Sequence, residues 1–362
     1  MSNQPSIDKE QTAPDPEAAG KPETPPKVKK ETWRYVFRRT LQEFSRDHCP
    51  DLAAGLTYFG VLSMFPALLA LVAMLGLFGQ AERTTDALLD VIGTVAPEQV
   101  VDLLREPIEE LVSSPTAGLA FVVGVVGAIW SASGYVGAFS RAMNRIYEID
   151  EGRPFWKLRP VLILMTVIAL ILVAVMGTIL AVSGPVLTAI GEAIGIGESA
   201  IAVWNIIKWP ILVILAIVTL ALLYYVTPNV KQPKFRWLSM GALIALVVLA
   251  LASLAFSFYV SNFASYNRTY GTIGGVIILL LWVYLANLAL LFGAEFDSET
   301  ERGRQLQGGI EAERTLQLPP RDSTKSEKRQ QQDEKTVALG RELRDRHEAD
   351  KNLTPAATAR QR

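Results

Sequence analysis

The sequence predicts an all-α protein, a polytopic membrane bundle of six transmembrane helices with an interfacial amphipathic helix before it and disordered tails. Half of the 362 residues are hydrophobic and one fifth are charged, and the charges concentrate near the two termini. That division is typical of a membrane core with soluble ends rather than of a globular domain. We therefore expect a disordered tail over 1–28, the six-helix domain over 29–297 and a charged, mostly disordered cytoplasmic tail over 298–362.

The stretch before the first span predicts an amphipathic helix. Between residues 31 and 46, apolar and basic side chains share a helical spacing. The apolar positions are Trp33, Phe37, Leu41 and Phe44. A basic amphipathic helix suits an anionic membrane surface, and the alternative is a cap packed on the helical bundle. Both interpretations stay open, because one helix can do both.

The first predicted span carries more polar groups than a plain anchor needs. No charged side chain occurs over residues 52–80, and residues 56–78 would extend ~34 Å as a helix, enough to cross a hydrocarbon core. Asp51 lies at the N-terminal end of this span, Tyr58 and Ser63 lie within it, and Pro66 lies near its middle. We expect the proline to kink the helix and the Ser63 hydroxyl to help satisfy the carbonyl that the proline frees.

Five further apolar runs bring the predicted number of spans to six. They cover about residues 116–140, part of 160–190, 209–227, part of 237–266, and 270–293. The second and sixth spans carry small residues at spacings that let another helix approach closely. These residues are Gly127, Ser131, Gly134 and Ala138 in the second span and the GxxxG pair Gly271 and Gly275 in the sixth. A hinge is the alternative interpretation of the GxxxG pair.

The loops predict the orientation. Lys and Arg number five in 141–159 and three in 231–236, against two in 81–115, one in 191–208 and Arg268 alone in the last loop. Loops rich in Lys and Arg face the cytoplasm, so both termini are expected on the cytoplasmic side of the membrane. Membrane lipids are then the expected partners, and the formal net charge of −1 indicates no general affinity for nucleic acid.

Four motifs occur in order along this layout. They are AAGLTYF with SMFP over 53–66, GAFSRAMNRIY over 137–147, YY with PN and GA over 224–242, and YNRTYGTIGG with WVY and GAE over 266–295. Together they resemble the YihY/BrkB family of virulence factor BrkB-like proteins, formerly mislabelled ribonuclease BN, over roughly 30–300. The resemblance implies a bacterial inner-membrane protein of envelope physiology and no settled activity.

The residues themselves give no support for an enzyme. A metal-dependent nuclease needs clustered histidine and carboxylate ligands, and this chain has only His48 at a membrane mouth and His347 in the C-terminal tail. Phosphate-loop, zinc-protease and nucleophile-elbow motifs are also missing from the sequence. Cys49 is the single cysteine, which excludes an intramolecular disulfide. We therefore expect no catalytic residue, no metal and no cofactor.

Ionisable and polar groups near the spans are the remaining candidates for function. Besides Asp51, Tyr58, Ser63 and Pro66, they are Arg141, Asn144, Asn287 and Glu295. Asn287 lies deep in the sixth span, where a hydrogen bond to another helix is expected. Arg141 and Glu295 end the second and sixth spans at similar depth, so we expect them to pair, with substrate contact and simple solvation as the alternatives.

Two functions remain open at this stage. The first is transport or flipping of a lipid or amphiphilic solute between helices around the first span. The second is a structural or assembly role in the envelope, through a homo-oligomer or other envelope proteins. Polar residues lining a cavity near Pro66 and Asn287 would favour transport, whereas a closed, dry bundle would favour assembly.

Overall fold

A computed structural model describes residues 6–18, 20–24, 27–77, 117–181, 198–232, 235–262 and 267–358. Within these residues the chain is helical and has no strand, apart from one isolated β-bridge between Val230 and Pro320. The helices are α1 (Ser6–Thr12), α2 (Lys30–Arg46), α3 (Cys49–Leu77), α4 (Ala117–Ile146), α5 (Phe155–Ala181), α6 (Glu198–Val226), α7 (Phe235–Asn262), α8 (Asn267–Gln307) and α9 (Thr324–Thr358). The all-α prediction is confirmed for this part of the chain.

Several helices are long and apolar enough to cross a membrane. In the described residues five stretches qualify, one in each of α4 to α8: Val122–Ile146, Phe155–Leu180, Ile201–Val226, Met240–Val260 and Val276–Gln307. The 29-residue helix α3 coincides with the first predicted span. It continues through Pro66, but that side chain and the kink expected there lie outside the described residues. A multi-pass membrane protein is therefore confirmed in this coarser form.

The long helices pack in chain order and close on themselves. Each helix from α3 to α7 contacts the next one, and α8 returns to contact α3 and α4. Helix α2 lies across α8, where Trp33 stacks on Phe296 with ring centroids 6.0 Å apart and Phe44 meets Phe292 edge-on at 5.7 Å. The opposite face of α2 leaves Phe37 and Leu41 more than half exposed. The alternative interpretation of this segment, a cap packed on the bundle, thus describes one face of α2, while the membrane-surface role of the other face stays a prediction.

Burial is concentrated at one end of this bundle. The buried cluster includes the beginnings of α3 and α7 and the ends of α4, α6 and α8, with Cys49, Phe139, Tyr224, Ala242 and Leu291 among its members. At the opposite end, residues 167–180, 246–260 and 276–286 contain no buried side chain in the described structure. We call these the packed end and the open end of the bundle.

Helix α8 runs well past residue 297, where the sequence suggested that the membrane domain ends. Residues 298–305 are buried, and Leu316 and Leu318 farther along are almost fully buried. The segment 308–323, which we call the C-terminal strap, then leads into α9. Hydropathy could not show this packing, because most of the buried side chains are polar or charged and are stabilised by partners rather than by apolar contact.

Part of the N-terminal tail is also packed. Lys21 is buried in an ion pair with Glu301 at 2.9 Å, and Lys9 donates to the carbonyl of Glu148 at 2.8 Å. Burial lowers the pKa of Lys9 to about 8, although nearby Glu148 opposes that shift. Segments that the composition suggested were disordered therefore contribute charges to the packed end.

Candidate functional site

A hydrogen-bonded polar layer joins three helices where the packed end meets the open end. The Tyr135 hydroxyl of α4 donates to the Asn287 side-chain oxygen at 2.8 Å. The Asn287 amide nitrogen of α8 donates to the Thr57 hydroxyl of α3 at 3.2 Å, and that hydroxyl donates to the carbonyl of Ala53. The interhelical bond expected of Asn287 is present. Tyr135 gave no signal in the sequence, because an aromatic residue in a span is ordinarily packing.

Glu295 lies in an acidic pocket at the packed end. One carboxyl oxygen accepts a hydrogen bond from the Cys49 thiol at 3.5 Å, while the other is buried without a hydrogen-bond partner. The Asp47 carboxyl lies in the same pocket and interacts electrostatically with Glu295. Burial, reinforced by the nearby Glu43 charge, raises the pKa of Asp47 to about 6, and Arg145 opposes the shift.

The expected pair between Arg141 and Glu295 does not form. Arg141 is exposed, and its guanidinium carbon lies 5.8 Å from the centre of the Phe59 ring. The basic residue of α4 that reaches the acidic pocket is Arg145, whose Nε lies 3.8 Å from the Asp47 carboxylate. Equal depth was the basis of the prediction, but depth does not fix which face of a helix a side chain occupies.

The other polar candidates of the first span lie apart from this pocket. Asp51 is 85% exposed and lies 3.8 Å from His48, which is also exposed. Tyr58 is exposed and meets Phe59 edge-on. The Ser63 hydroxyl donates to the carbonyl of Gly60 at 2.7 Å. The carbonyl that Pro66 frees belongs to Leu62, one turn before it, so Ser63 serves a different group from the one expected.

Asn144 anchors two loops at the packed end. Its amide nitrogen donates to Glu151 at 2.9 Å, and its side-chain oxygen accepts the backbone N–H of Asn229 at 2.7 Å. Glu151 forms an ion pair with Arg153 at 2.7 Å. The Arg153 guanidinium also donates to the carbonyl of Thr227 at 2.7 Å. Asn144 thus ties the α4–α5 loop to the α6–α7 loop, and its partners looked like ordinary loop charges in the sequence.

The C-terminal strap is bound to the same loops. The Asn229 side-chain nitrogen donates to the carbonyl of Asp322 at 2.8 Å, and Arg321 donates to the carbonyls of Val230 and Tyr225 at 2.9 and 2.6 Å. Lys157 pairs with Asp322 at 2.6 Å. Although desolvation acts against it, the hydrogen bonds from Lys157 and Thr324 lower the pKa of Asp322 to about 2. The strap therefore holds the ends of the spans together.

The small residues predicted to mediate packing have different surroundings. A Cβ added at Gly134 would lie 3.6 Å from the Phe59 ring of α3. Ala138 is buried, whereas Gly127 and Ser131 are half-buried. The packing of Gly271 and Gly275 in α8 lies outside the described residues. A tighter contact between two helices occurs at a glycine that spacing did not single out: a Cβ at Gly293 would collide with the Gly241 carbonyl of α7 and lie 2.8 Å from the Tyr224 hydroxyl.

Comparison with known proteins identifies the family of this chain. The family model for virulence factor BrkB matches residues 40–316, more than half of the chain. This protein belongs to the BrkB family. It is also 32% identical over 194 residues to a Bacillus subtilis (strain 168) protein named "Putative ribonuclease-like protein YfkH", an alignment that covers 53% of this chain and 68% of that relative. No solved structure matches it.

The BrkB match reaches beyond the last predicted span. It ends at residue 316, within the C-terminal strap, and so takes in the buried extension of α8. It begins within α2, and thus before α3 and the acidic pocket around Cys49 and Glu295. Most of the packed end therefore falls within the family's matched region, whereas Lys9, Lys21 and the strap residues Arg321 and Asp322 lie outside it.

Proposed function

We propose that this BrkB-family protein is a six-span protein of the bacterial inner membrane that moves a lipid or an amphiphilic solute across the bilayer. In this proposal α3 is the first span, both termini are cytoplasmic, and the exposed face of α2 lies on the anionic membrane surface. The excess of Lys and Arg in the loops at the packed end supports that orientation.

The observation that carries the proposal is the contrast between the two ends of the bundle. The packed end is cross-linked by loops, ion pairs and the C-terminal strap, whereas the described outer halves of α5, α7 and α8 bury no side chain. Helices that are joined at one end and expose their outer halves could separate there and admit a substrate between them. Alternating access requires such a difference between the two sides of the binding region.

The polar layer marks the floor of the open region. Asn287 is the first buried residue of α8 after the open stretch 276–286, and Thr57 is the last buried residue described in α3. The side chains of Tyr135, Asn287 and Thr57 hydrogen-bond to one another, so the layer is closed in this conformation. A polar head group could replace these bonds as it passes, which gives the layer the chemistry of a gate.

Reconstitution tests the proposal. Proteoliposomes should move a fluorescent phospholipid between leaflets faster than protein-free vesicles, and Asn287→Leu should slow that movement because the layer loses its central donor and acceptor. Thr178→Val is the matched control, since Thr178 is exposed and bonds only within its own helix, to the carbonyl of Ala174. Equal rates with and without protein, across lipid and amphiphile probes, would overturn the transport proposal.

The envelope assembly role is supported by α9. This 35-residue helix exposes every residue from 327 to 348, including the apolar Val337, Leu339 and Leu343. An exposed helix of this length offers a surface for a second copy or another envelope protein. Removal of residues 324–362 should leave transport intact under the first proposal. Under the second, it should reduce the size of the complex extracted from native membranes.

We also propose that the protein is not a ribonuclease, whatever its relative's name suggests. His48 is exposed beside Asp51, and His347 lies on the exposed helix α9, so neither histidine is held in a pocket. Purified protein incubated with single-stranded and structured RNA in the presence of Mg²⁺, Mn²⁺ or Zn²⁺ should leave the RNA intact. Cleavage that co-elutes with the protein and is lost in the His48→Ala variant would contradict this proposal.

A further inference from the structure

Two arginines of α4 and α5 hold their charges beside aromatic rings at the membrane-facing side of the bundle. The Arg141 guanidinium carbon lies 5.8 Å from the centre of the Phe59 ring, and that of Arg159 lies 4.0 Å from the centre of the Trp130 ring. Arg141 is exposed and Arg159 is half-buried. Trp130 is itself 60% exposed, so both cations border surface that lipid would cover.

The two sites border one strip of α4. Trp130, Gly134, Gly137 and Arg141 are spaced four, three and four residues apart, so they share a helix face. A Cβ at Gly134 would lie 3.6 Å from Phe59 of α3, and one at Gly137 would lie 3.5 Å from Leu162 of α5 and 3.8 Å from the Arg141 guanidinium. The strip therefore lies between α3 and α5. Its two glycines have no side chains that would fill the space above α4. We call these four residues, together with Arg159, the arginine strip.

The guanidinium groups of the strip lack the partners that other arginines of this protein have. The buried Arg302 is paired with Glu299 and Glu148, and the buried Arg153 is paired with Glu151. Within the described part of the chain, by contrast, neither Arg141 nor Arg159 has a carboxylate or hydrogen-bond partner, and the Arg159 Nε is buried without one. A cation at this depth is costly unless an anion meets it.

Stacking leaves the chemistry of anion binding available. An aromatic ring occupies the flat face of a guanidinium, while the N–H groups point outward in its plane. Phosphate oxygens match that edge in a bidentate arrangement. The ring also fixes the orientation of the cation, so less conformational freedom is lost when an anion binds. Exposed apolar side chains beside the strip, such as Leu164 and Val126, can accept acyl chains.

We propose that the arginine strip binds the phosphate of a phospholipid in the leaflet at the packed end, with Arg141 and Arg159 as its ligands. This inference rests on the membrane placement proposed above and names the substrate class for the transport proposal. Arg141 lies nearer the helix end and would meet the head group first. The Arg141 guanidinium reaches back to within 3.8 Å of the Cβ position of Gly137, and Arg159, whose guanidinium lies at Trp130, would meet the phosphate from the deeper end of the strip.

Lipid binding to the full-length protein in detergent tests the site without requiring transport. Delipidated protein is titrated with phosphatidylglycerol and, separately, with diacylglycerol, and bound lipid is counted by native mass spectrometry. Phosphatidylglycerol should bind more tightly than diacylglycerol. Arg141→Gln and Arg159→Gln should each weaken phosphatidylglycerol binding by about tenfold, as expected from the loss of one charge-assisted interaction. Diacylglycerol binding should be unchanged.

Two variants keep the result interpretable. Arg346→Gln removes an exposed charge of α9 that pairs with Glu342 and should bind phosphatidylglycerol like the native protein. Arg141→Lys keeps the charge but loses the planar edge, so it should restore only part of the affinity. Equal affinity of the native protein and the Arg141→Gln, Arg159→Gln double variant would overturn the site. Loss of binding in the double variant with unchanged lipid movement would uphold the site and refute its place in the transport route.

Discussion

The carboxyl groups of Asp47 and Glu295 lie in one pocket at the packed end of the bundle, where each acts on the ionisation of the other. Two ionised carboxylates in such a pocket would repel each other, so a proton on one of them is favoured. Asp47 lies in the short connection between α2 and α3, whereas Glu295 lies in α8. The acidic pair thus joins the connection between α2 and α3 to α8. Cys49 donates to the same Glu295 carboxyl, and Arg145, Glu43, Glu148 and Glu299 are further charges that act on the pair.

The burial of Asp47 beside other acids predicts that the protein is more stable in mild acid, because burial and the Glu43 charge raise the pKa of Asp47. The pKa of Asp47 is raised to about 6 in the fold, against about 3.9 for an unfolded aspartate. A folded protein that binds the extra proton loses stability as pH rises through this interval and changes little above it. The thermal midpoint in detergent should therefore fall from about pH 4.5 to about pH 6.5. Asp47→Asn should flatten that slope.

Asp51→Asn is the control for that measurement. Asp51 is 85% exposed, and its removal should leave the slope unchanged. Other acids titrate in the same interval, so the difference between the two variants isolates the pair. An identical slope in Asp47→Asn and in the native protein would show that Asp47 does not hold the proton.

A second prediction concerns the contact between α3 and α4. Leucine at Gly134 extends past a Cβ that is already 3.6 Å from the Phe59 ring, so α3 must move or Phe59 must change rotamer. Gly134→Leu should destabilise by about 1–3 kcal/mol, as overpacking does. Gly177→Leu in α5 is the matched control, because a Cβ at Gly177 meets nothing within 4 Å. Differential scanning calorimetry in detergent gives the thermal midpoints of both variants. Equal midpoints would mean that Gly134 faces lipid.

A third prediction concerns the crossing of α7 and α8. Gly241 and Gly293 pack backbone against backbone, and the Gly241 N–H donates to Asp297 at 2.7 Å. A methyl group at either glycine collides with main chain, which cannot rotate away. Gly293→Ala should therefore destabilise more than Gly134→Ala, whose Cβ makes only an ordinary contact. Chemical denaturation of both variants in the same detergent measures the difference. If Gly134→Ala were the more destabilising variant, α7 and α8 would have to move apart at Gly293 without loss of stability.

The sequence predicted the long apolar helices well and the packing of the charged end poorly, for a physical reason. Apolar runs are visible because lipid excludes charge over a fixed thickness, and Asn287 was recognised as a bonding residue by its isolation within such a run. At the packed end, Arg302 and Glu301 look like an ordinary solvated helix in the sequence. Their burial depends on partners 154 and 280 residues away in the chain, Glu148 and Lys21. No local pattern encodes those contacts.

The buried network gives a fourth prediction. Arg302 is 1% exposed and pairs with Glu299 at 3.0 Å and with Glu148 at 2.8 Å. Arg302→Met leaves Glu148 without this cation and Glu299 with only the more distant Arg39 at 3.8 Å, so it should destabilise by roughly 3–5 kcal/mol. Arg344→Met, at an exposed pair with Asp345, should cost less than about 1 kcal/mol. Similar thermal midpoints for the two variants would show that residues 298–305 are solvated rather than packed.

The last prediction uses double-mutant cycles to ask whether Glu295 interacts with Asp47 or with Arg141. Glu295 contacts Asp47 and Cys49, while Arg141 lies at Phe59. Glu295→Gln and Arg141→Gln should therefore add in their effects on stability to within about 0.5 kcal/mol, as independent sites do. Glu295→Gln and Asp47→Asn should not add, because either change removes the interaction between the two acids and the second change then has less to remove. Both cycles draw on the single variants Glu295→Gln, Arg141→Gln and Asp47→Asn, and stability is measured by thermal unfolding in the same detergent. A further cycle with Asp51→Asn in place of Asp47→Asn is the control at an exposed acid. A coupling larger for Arg141 than for Asp47 would mean that the guanidinium turns inward in the membrane, and it would remove the free cation on which the phospholipid site depends.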